Sequence, residues 1–170
     1  MKIKKTNING LFIYNRKIIF DRRGNFSKFF SKDWHINKVF NIKEVYCTLS
    51  KKNVLRGLHY QPISGSKKIV FCSKGSFLDL VVDLRKSSKT FGKIFTIVLH
   101  EKDNLAIHIP SGCAHANLSK KNFSEMIYLT SKTFETSRDK YFLWKSIKFN
   151  WPVKKPILSD LDKNAKPLKL

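Results

Sequence analysis

Residues 68–109 read KIVFCSKGSFLDLVVDLRKSSKTFGKIFTIVLHEKDNLAIHI. Four apolar runs lie in this stretch: Lys68–Cys72, Ser76–Leu84, Phe91–His100 and Leu105–Ile109. They are rich in β-branched and aromatic residues and lack the three-and-four spacing of a helix. The breaks between them carry Gly75, Ser87-Ser88 and Asp103-Asn104, residues that favour turns. Short strands at such intervals predict an all-β sandwich or barrel.

The pattern extends in both directions. Upstream, Leu11–Asp21 reads as a strand interrupted near Asn15, followed by a turn at Arg22-Arg23-Gly24. Phe26, Phe29, Phe30 and Trp34 recur at helical spacing, which predicts a short amphipathic helix over Phe26–Trp34. Lys43–Ser50 alternates weakly, as a strand does, and ends at the turn Lys51-Lys52-Asn53. Downstream, Glu125–Thr130 is a further strand. The tail from Trp151-Pro152 to Lys169 is rich in proline and poor in apolar residues, so it is expected to wrap the surface. No repeat, heptad or low-complexity block interrupts the 170 residues, which predict one domain over 1–170.

The net charge of +22 would suit a nucleic-acid-binding protein. Of the 34 cations, however, 28 are Lys and only 6 are Arg, and the lysines are scattered. The chain is also rich in Ile, Asn and Phe, which AT-rich coding favours. The charge therefore reads as composition, with attraction of small anionic substrates as its consequence. No run approaches the roughly 18 apolar residues of a membrane span. The N-terminal MKIKKTNING has no apolar core of a signal peptide. The three cysteines show no CxxC spacing, so a reducing cytoplasm is expected.

Chemistry concentrates in Leu55-Arg56-Gly57-Leu58-His59-Tyr60-Gln61. A cation, a turn-permissive glycine and an imidazole stand within four residues, and β-type flanks project His59 from a strand. An unperturbed imidazole titrates near ~6.5, which suits it to take a proton at neutral pH. A second signal is Pro110-x-Gly112-x-x-His115, a tight turn followed by a histidine aimed at a barrel mouth. Metal-binding barrels of this kind add a histidine two residues after the first, and then a glutamate. Gln61 stands at that position here, and no glutamate follows before Glu101. Two histidines are too few for a typical zinc or iron site, so no metal and no cofactor is expected. Asp79 and Asp83 lie four apart on one strand and face the same way. Carboxylates inside so apolar a strand need partners, and Arg85 or a lysine is the expected one.

The blocks VLRGLHYQ, KKIVFCSKGSFLDLVVDLRKSSKTFGK, IHIPSGCAHA and PILSDLDKNAKPL resemble the dTDP-4-dehydrorhamnose 3,5-epimerase family in order and spacing, from about Asp21 to Leu168. The resemblance implies a cupin-type jelly-roll sandwich, usually a homodimer. It implies a cofactor-free isomerase in deoxysugar biosynthesis for cell-surface polysaccharide, epimerising C3, C5 or both in a nucleotide-linked 4-keto-6-deoxy sugar. A 3,4-ketoisomerase and a non-catalytic sugar-nucleotide-binding cupin stand as alternatives.

Carried over by position, His59 is the base, Asp162 its acidic partner, Tyr128 the proton donor and Lys68 a stabiliser of developing charge. Substrate contacts fall on Arg23, Arg56, Lys68, His115, Phe134 and Asp139. Phe134 would stack on the thymine, and Arg56 would meet the diphosphate. The chain departs from the family pattern where the nucleotide is read. Lys28 replaces a glutamate, Thr48 lies where a Gln-x-Asn pair is usual, and Leu161 replaces a lysine.

Overall fold

The computed structural model describes residues 2–31, 41–133 and 139–169. Two antiparallel sheets face each other. The first takes β1 (Lys2–Lys5), β2 (Phe12–Asn15), β5 (Glu44–Ser50), β7 (Lys68–Lys74), β10 (Leu105–Ile109) and β12 (Ser124–Thr130), in the order β1-β2-β10-β7-β12-β5. The second takes β6 (Leu55–Tyr60), β8 (Ser76–Asp83), β9 (Ile94–His100), β11 (Cys113–Ser119) and β13 (Lys140–Tyr141), in the order β13-β6-β11-β8-β9. A hairpin of β3 (Ile18–Asp21) and β4 (Gly24–Ser27) stands apart from both. The all-β sandwich expected from residues 68–109 is the architecture found.

Period-two alternation explains the layers. Along β8, Phe77 and Val81 face the first sheet and join Val70, Ile107, Met126 and Tyr128 in the central core. The alternate residues Leu80 and Val82 face outward, with Leu58, Ala114 and Ala116. That outer face is covered by Ile147 and Phe149 and by the tail that follows them, through Trp151 and Leu168. The tail thus wraps the surface as expected, but it also seals a second apolar layer. It contains one helical turn, α1 (Asp160–Lys163), and is preceded by a 3-10 turn, Trp144–Ser146.

The helix expected over Phe26–Trp34 is not formed in its first part. Gly24–Ser27 is a strand, paired residue for residue with Ile18–Asp21 across the Arg22-Arg23 turn, and residues 28–31 are not helical. Hairpin pairing overrides a helical spacing that only four aromatics carried. The rest of that segment, including Trp34, lies outside the described residues. Among the described residues no helix is long and apolar enough to cross a membrane.

Candidate active site

β6 positions His59 through an irregularity. His59 pairs with His115 and Arg56 with Asn117, so two residues of β6 oppose only Ala116 between them. In a regular strand, residues three apart point to opposite faces. The bulge puts Arg56 and His59 on the same inward face. Gly57 makes this possible. Its φ is +128°, and a Cβ there would lie 2.5 Å from the Ala116 Cβ and 2.6 Å from the His115 carbonyl oxygen.

His59 Nε2 lies 2.8 Å from Asp162 Oδ1. A carboxylate oxygen accepts, so Nε2 carries the proton and Nδ1 keeps the free lone pair. The Asp162 side chain is 3% exposed, whereas that of His59 is 29% exposed and open to a ligand. Asp162 is itself fixed by the start of α1. Ser159, the N-cap, accepts from the Asp162 amide at 3.1 Å and donates to Asp162 Oδ2 at 2.9 Å. The Tyr141 ring meets the His59 ring edge-on at 4.9 Å, from the neighbouring strand β13.

His115 forms a second pair of the same kind. Its Nε2 lies 2.8 Å from Asp79 Oδ2, with both side chains buried. Burial pushes the Asp79 carboxyl up from its ordinary value, and His115 opposes that. Asp79 was expected to meet a cation, and its partner is instead this histidine. Asp83 does meet Arg85, through two contacts of 2.8 Å, with Ser88 and Thr90 adding their hydroxyls. Burial raises the Asp83 carboxyl, but those donors outweigh it and hold it well below the usual carboxylate range.

Tyr128 comes from the opposite sheet. It stacks on Tyr46 at 4.8 Å and lies edge-on to His115 at 6.3 Å. Asn117 Nδ2 donates to its hydroxyl oxygen at 2.8 Å, leaving the phenolic proton free to point elsewhere. Burial and the Asp79 charge push the phenol up to about 12, so it holds its proton at neutral pH. Arg56 reaches across to the first sheet, donating to Ser50 Oγ and the Leu49 carbonyl at 3.3 Å each.

Lys68 lies at the mouth with Tyr46, Gln61 and Asp139. Burial pulls its ammonium down from the ordinary value, and Asp139 acts against that. Asp139 is fixed by Gln61, whose Nε2 donates to Oδ1 at 2.6 Å. Of the residues picked out from sequence, His59, Asp162, Tyr128, His115, Arg56, Lys68 and Asp139 are therefore gathered around the opening between the two sheets.

Arg23 is not part of this cluster. Its side chain is 85% exposed on the hairpin and forks onto Asp21 at 2.6 Å. Phe134 lies outside the described residues. Sequence reasoning did not assign Asp79, Asn117, Tyr141, Tyr46 or Ser159 to the site. Two local signals were available among them: the Ser159-x-x-Asp162 capping spacing and the carboxylate of Asp79 inside an apolar strand. Among the described residues no three His, Cys, Asp or Glu side chains could jointly hold a metal ion.

The arrangement can take a proton at one side of a ligand and return one from the other, with cations near the entrance for an anionic substrate. Comparison with known proteins agrees with that chemistry. Residues 5–169 match the family model described as dTDP-4-dehydrorhamnose 3,5-epimerase. The dTDP-4-dehydrorhamnose 3,5-epimerase of Shigella flexneri is 35% identical over 172 residues, covering 97% of this chain and 94% of that protein. A dTDP-4-dehydro-6-deoxyglucose 3-epimerase from a Streptomyces species is 33% identical, covering 76% of this chain and 68% of its own length. A crystal structure of the dTDP-6-deoxy-D-glucose-3,5-epimerase of Legionella pneumophila, in complex with dTDP-4-keto-L-rhamnose, superposes with a TM-score of 0.90 at 27% identity, covering 97% of this chain and 91% of that one. With its match running almost end to end, the chain belongs to the dTDP-4-dehydrorhamnose 3,5-epimerase family.

Proposed function

We propose that this protein epimerises a dTDP-linked 4-keto-6-deoxy sugar at the carbons flanking its ketone, C3 and C5. The observation that carries the reading is the placement of a carboxylate-backed imidazole, His59, on one sheet and a protonated phenol, Tyr128, on the other. A C–H beside a ketone is acidic only if the enolate is stabilised. His59 Nδ1 takes the proton, and Asp162 steadies the imidazolium that forms. Lys68 donates to the developing enolate oxygen. His115, fixed by Asp79 at 2.8 Å, is a further substrate contact. Tyr128 then delivers its proton to the other face of the carbon, inverting it, while Asn117 stabilises the phenolate left behind. No cofactor takes part in this scheme.

Arg56 is the diphosphate contact and Asp139 lines the nucleotide side, with Phe134 as the stacking contact that the resemblance implies; Arg23, 85% exposed on the hairpin away from this cluster, is left out. The protein works in the cytoplasm as a homodimer in this reading. Its three free thiols suit a reducing compartment. The exposed apolar residues Val45 and Leu49 on edge strand β5 are a surface that a second copy would cover.

The test is incubation with dTDP-4-keto-6-deoxyglucose in deuterated water. Deuterium at C3 and C5 of an inverted sugar is the expected result. Unlabelled, unchanged substrate rules the activity out, and movement of the keto group from C4 to C3 marks a ketoisomerase instead.

A further inference from the structure

Arg16 joins β2 to β3 and is only 5% exposed. A guanidinium stays charged at any physiological pH, and burying it without a counterion is costly. Yet among the described residues Arg16 makes no ion pair. Its carbon Cζ lies 4.9 Å and 4.8 Å from the ring centroids of Phe29 and Phe71. One nitrogen, Nη1, donates weakly to Ser27 Oγ at 3.4 Å. Among the described residues, buried Nε has no hydrogen-bond partner. The rings offset part of the cost, because their faces attract a cation, but they leave that donor unsatisfied.

Beside this side chain is a cleft of about 520 Å³. Ser27 and Asn25 of the hairpin, Ser73 of β7, and Lys102 and Asn104 of the β9–β10 loop line it together with Arg16. Glu101 also lines it, but its Oε2 is committed to the Gly75 amide at 2.9 Å. The wall therefore offers two cations and several neutral donors against one engaged carboxylate. The cleft is not the candidate active site. Ser73 and Lys68 are five residues apart on β7, about 16 Å at strand rise.

We propose that the Arg16 cleft is a second anion-binding site, and that it takes a phosphoryl group. A phosphoryl group in the cleft supplies the counter-charge that the Arg16 guanidinium lacks. The phosphoryl oxygens fit donors from the hairpin and the β9–β10 loop, while the Ser73 hydroxyl is committed to Glu125. Phe20 and Phe29 form the apolar side of the cleft and leave room for a ring attached to the phosphate.

The experiment follows the thermal midpoint of the intact protein against inorganic phosphate, for the wild type and for Arg16→Gln. Phosphate at the His59 site and general salting effects are common to both proteins, so the difference reports the Arg16 cleft. The wild-type midpoint is expected to rise and saturate, with Arg16→Gln needing roughly tenfold or more phosphate for the same rise, because a charge-assisted hydrogen bond is lost. Should Arg16→Gln fail to fold, Lys102→Gln at the rim is read against Lys154→Gln on a distant surface. The first then weakens the response and the second does not. Phenyl phosphate gives the second arm. Saturation well below the inorganic phosphate concentration assigns the site to a ring-bearing phosphate monoester, and equal saturation assigns it to free phosphate. Identical responses from wild type and Arg16→Gln, or from the two lysine variants, overturn the proposal and leave Arg16 as packing between two rings.

Discussion

His59 illustrates how one residue's role depends on which nitrogen is free. With Nε2–H held by Asp162, Nδ1 is the atom left to accept a proton. Asp162→Asn keeps the size of the side chain but can reverse the hydrogen bond and the tautomer with it. We expect it to lower kcat by about 10²–10⁴-fold, the usual worth of a positioned base, with KM little changed. Steady-state kinetics on the nucleotide sugar check this, and a rise in KM at constant kcat would speak against the assigned role. His59 itself was legible in the sequence, because a histidine in LRGLHYQ between β-type runs had to project from a strand. Its partner was legible only by resemblance, since 103 residues separate the two. Asp79 and His115 show the limit more clearly. Both were singled out, but nothing in the local sequence says that β8 and β11 pair in the register, His115 opposite Val81 and Asn117 opposite Asp79, that brings them within hydrogen-bond reach.

Among the elements, strands with a clean period of two were read well, and short elements were not. β7, β8 and β10 fall where the apolar runs put them. The four-residue α1 is too short to show a helical period, so the tail read as plain coil although it holds Asp162. The aromatic spacing of Phe26, Phe29 and Phe30 suggested a helix, while the actual determinant was the two-residue turn that zips β4 onto β3. The α1 N-cap makes a testable link between element and chemistry. Ser159→Ala removes both hydrogen bonds that fix Asp162. It should cost about 0.5–2 kcal/mol of stability and lower kcat with KM kept, by less than Asp162→Asn does. A chemical denaturation curve measured beside the kinetics separates the two effects.

At the scale of the whole molecule, a buried histidine outside the active site ties stability to pH. His108 is 6% exposed on β10, with Nδ1 3.1 Å from the Gly10 carbonyl oxygen. Burial pulls it down to about 4, against the weaker opposing pull of that carbonyl. The unfolded chain thus binds a proton that the folded chain refuses between about pH 6.5 and 4. Its stabilising contribution is complete above about pH 6.5 and is lost as pH falls toward 4, on the order of 3 kcal/mol in all. Thermal midpoints from pH 7.5 to 4 should fall through that window in the wild type and less steeply in His108→Gln.

The sandwich as a whole sets the stereochemistry, because its two sheets address a ligand from two sides. Inversion then needs one group from each sheet. The most direct measurement is solvent deuterium exchange and inversion, followed together by NMR in His59→Ala and Tyr128→Phe. Tyr128→Phe should exchange the C–H beside the ketone while inversion falls, and His59→Ala should lose both. Exchange at the wild-type rate in His59→Ala would contradict that expectation.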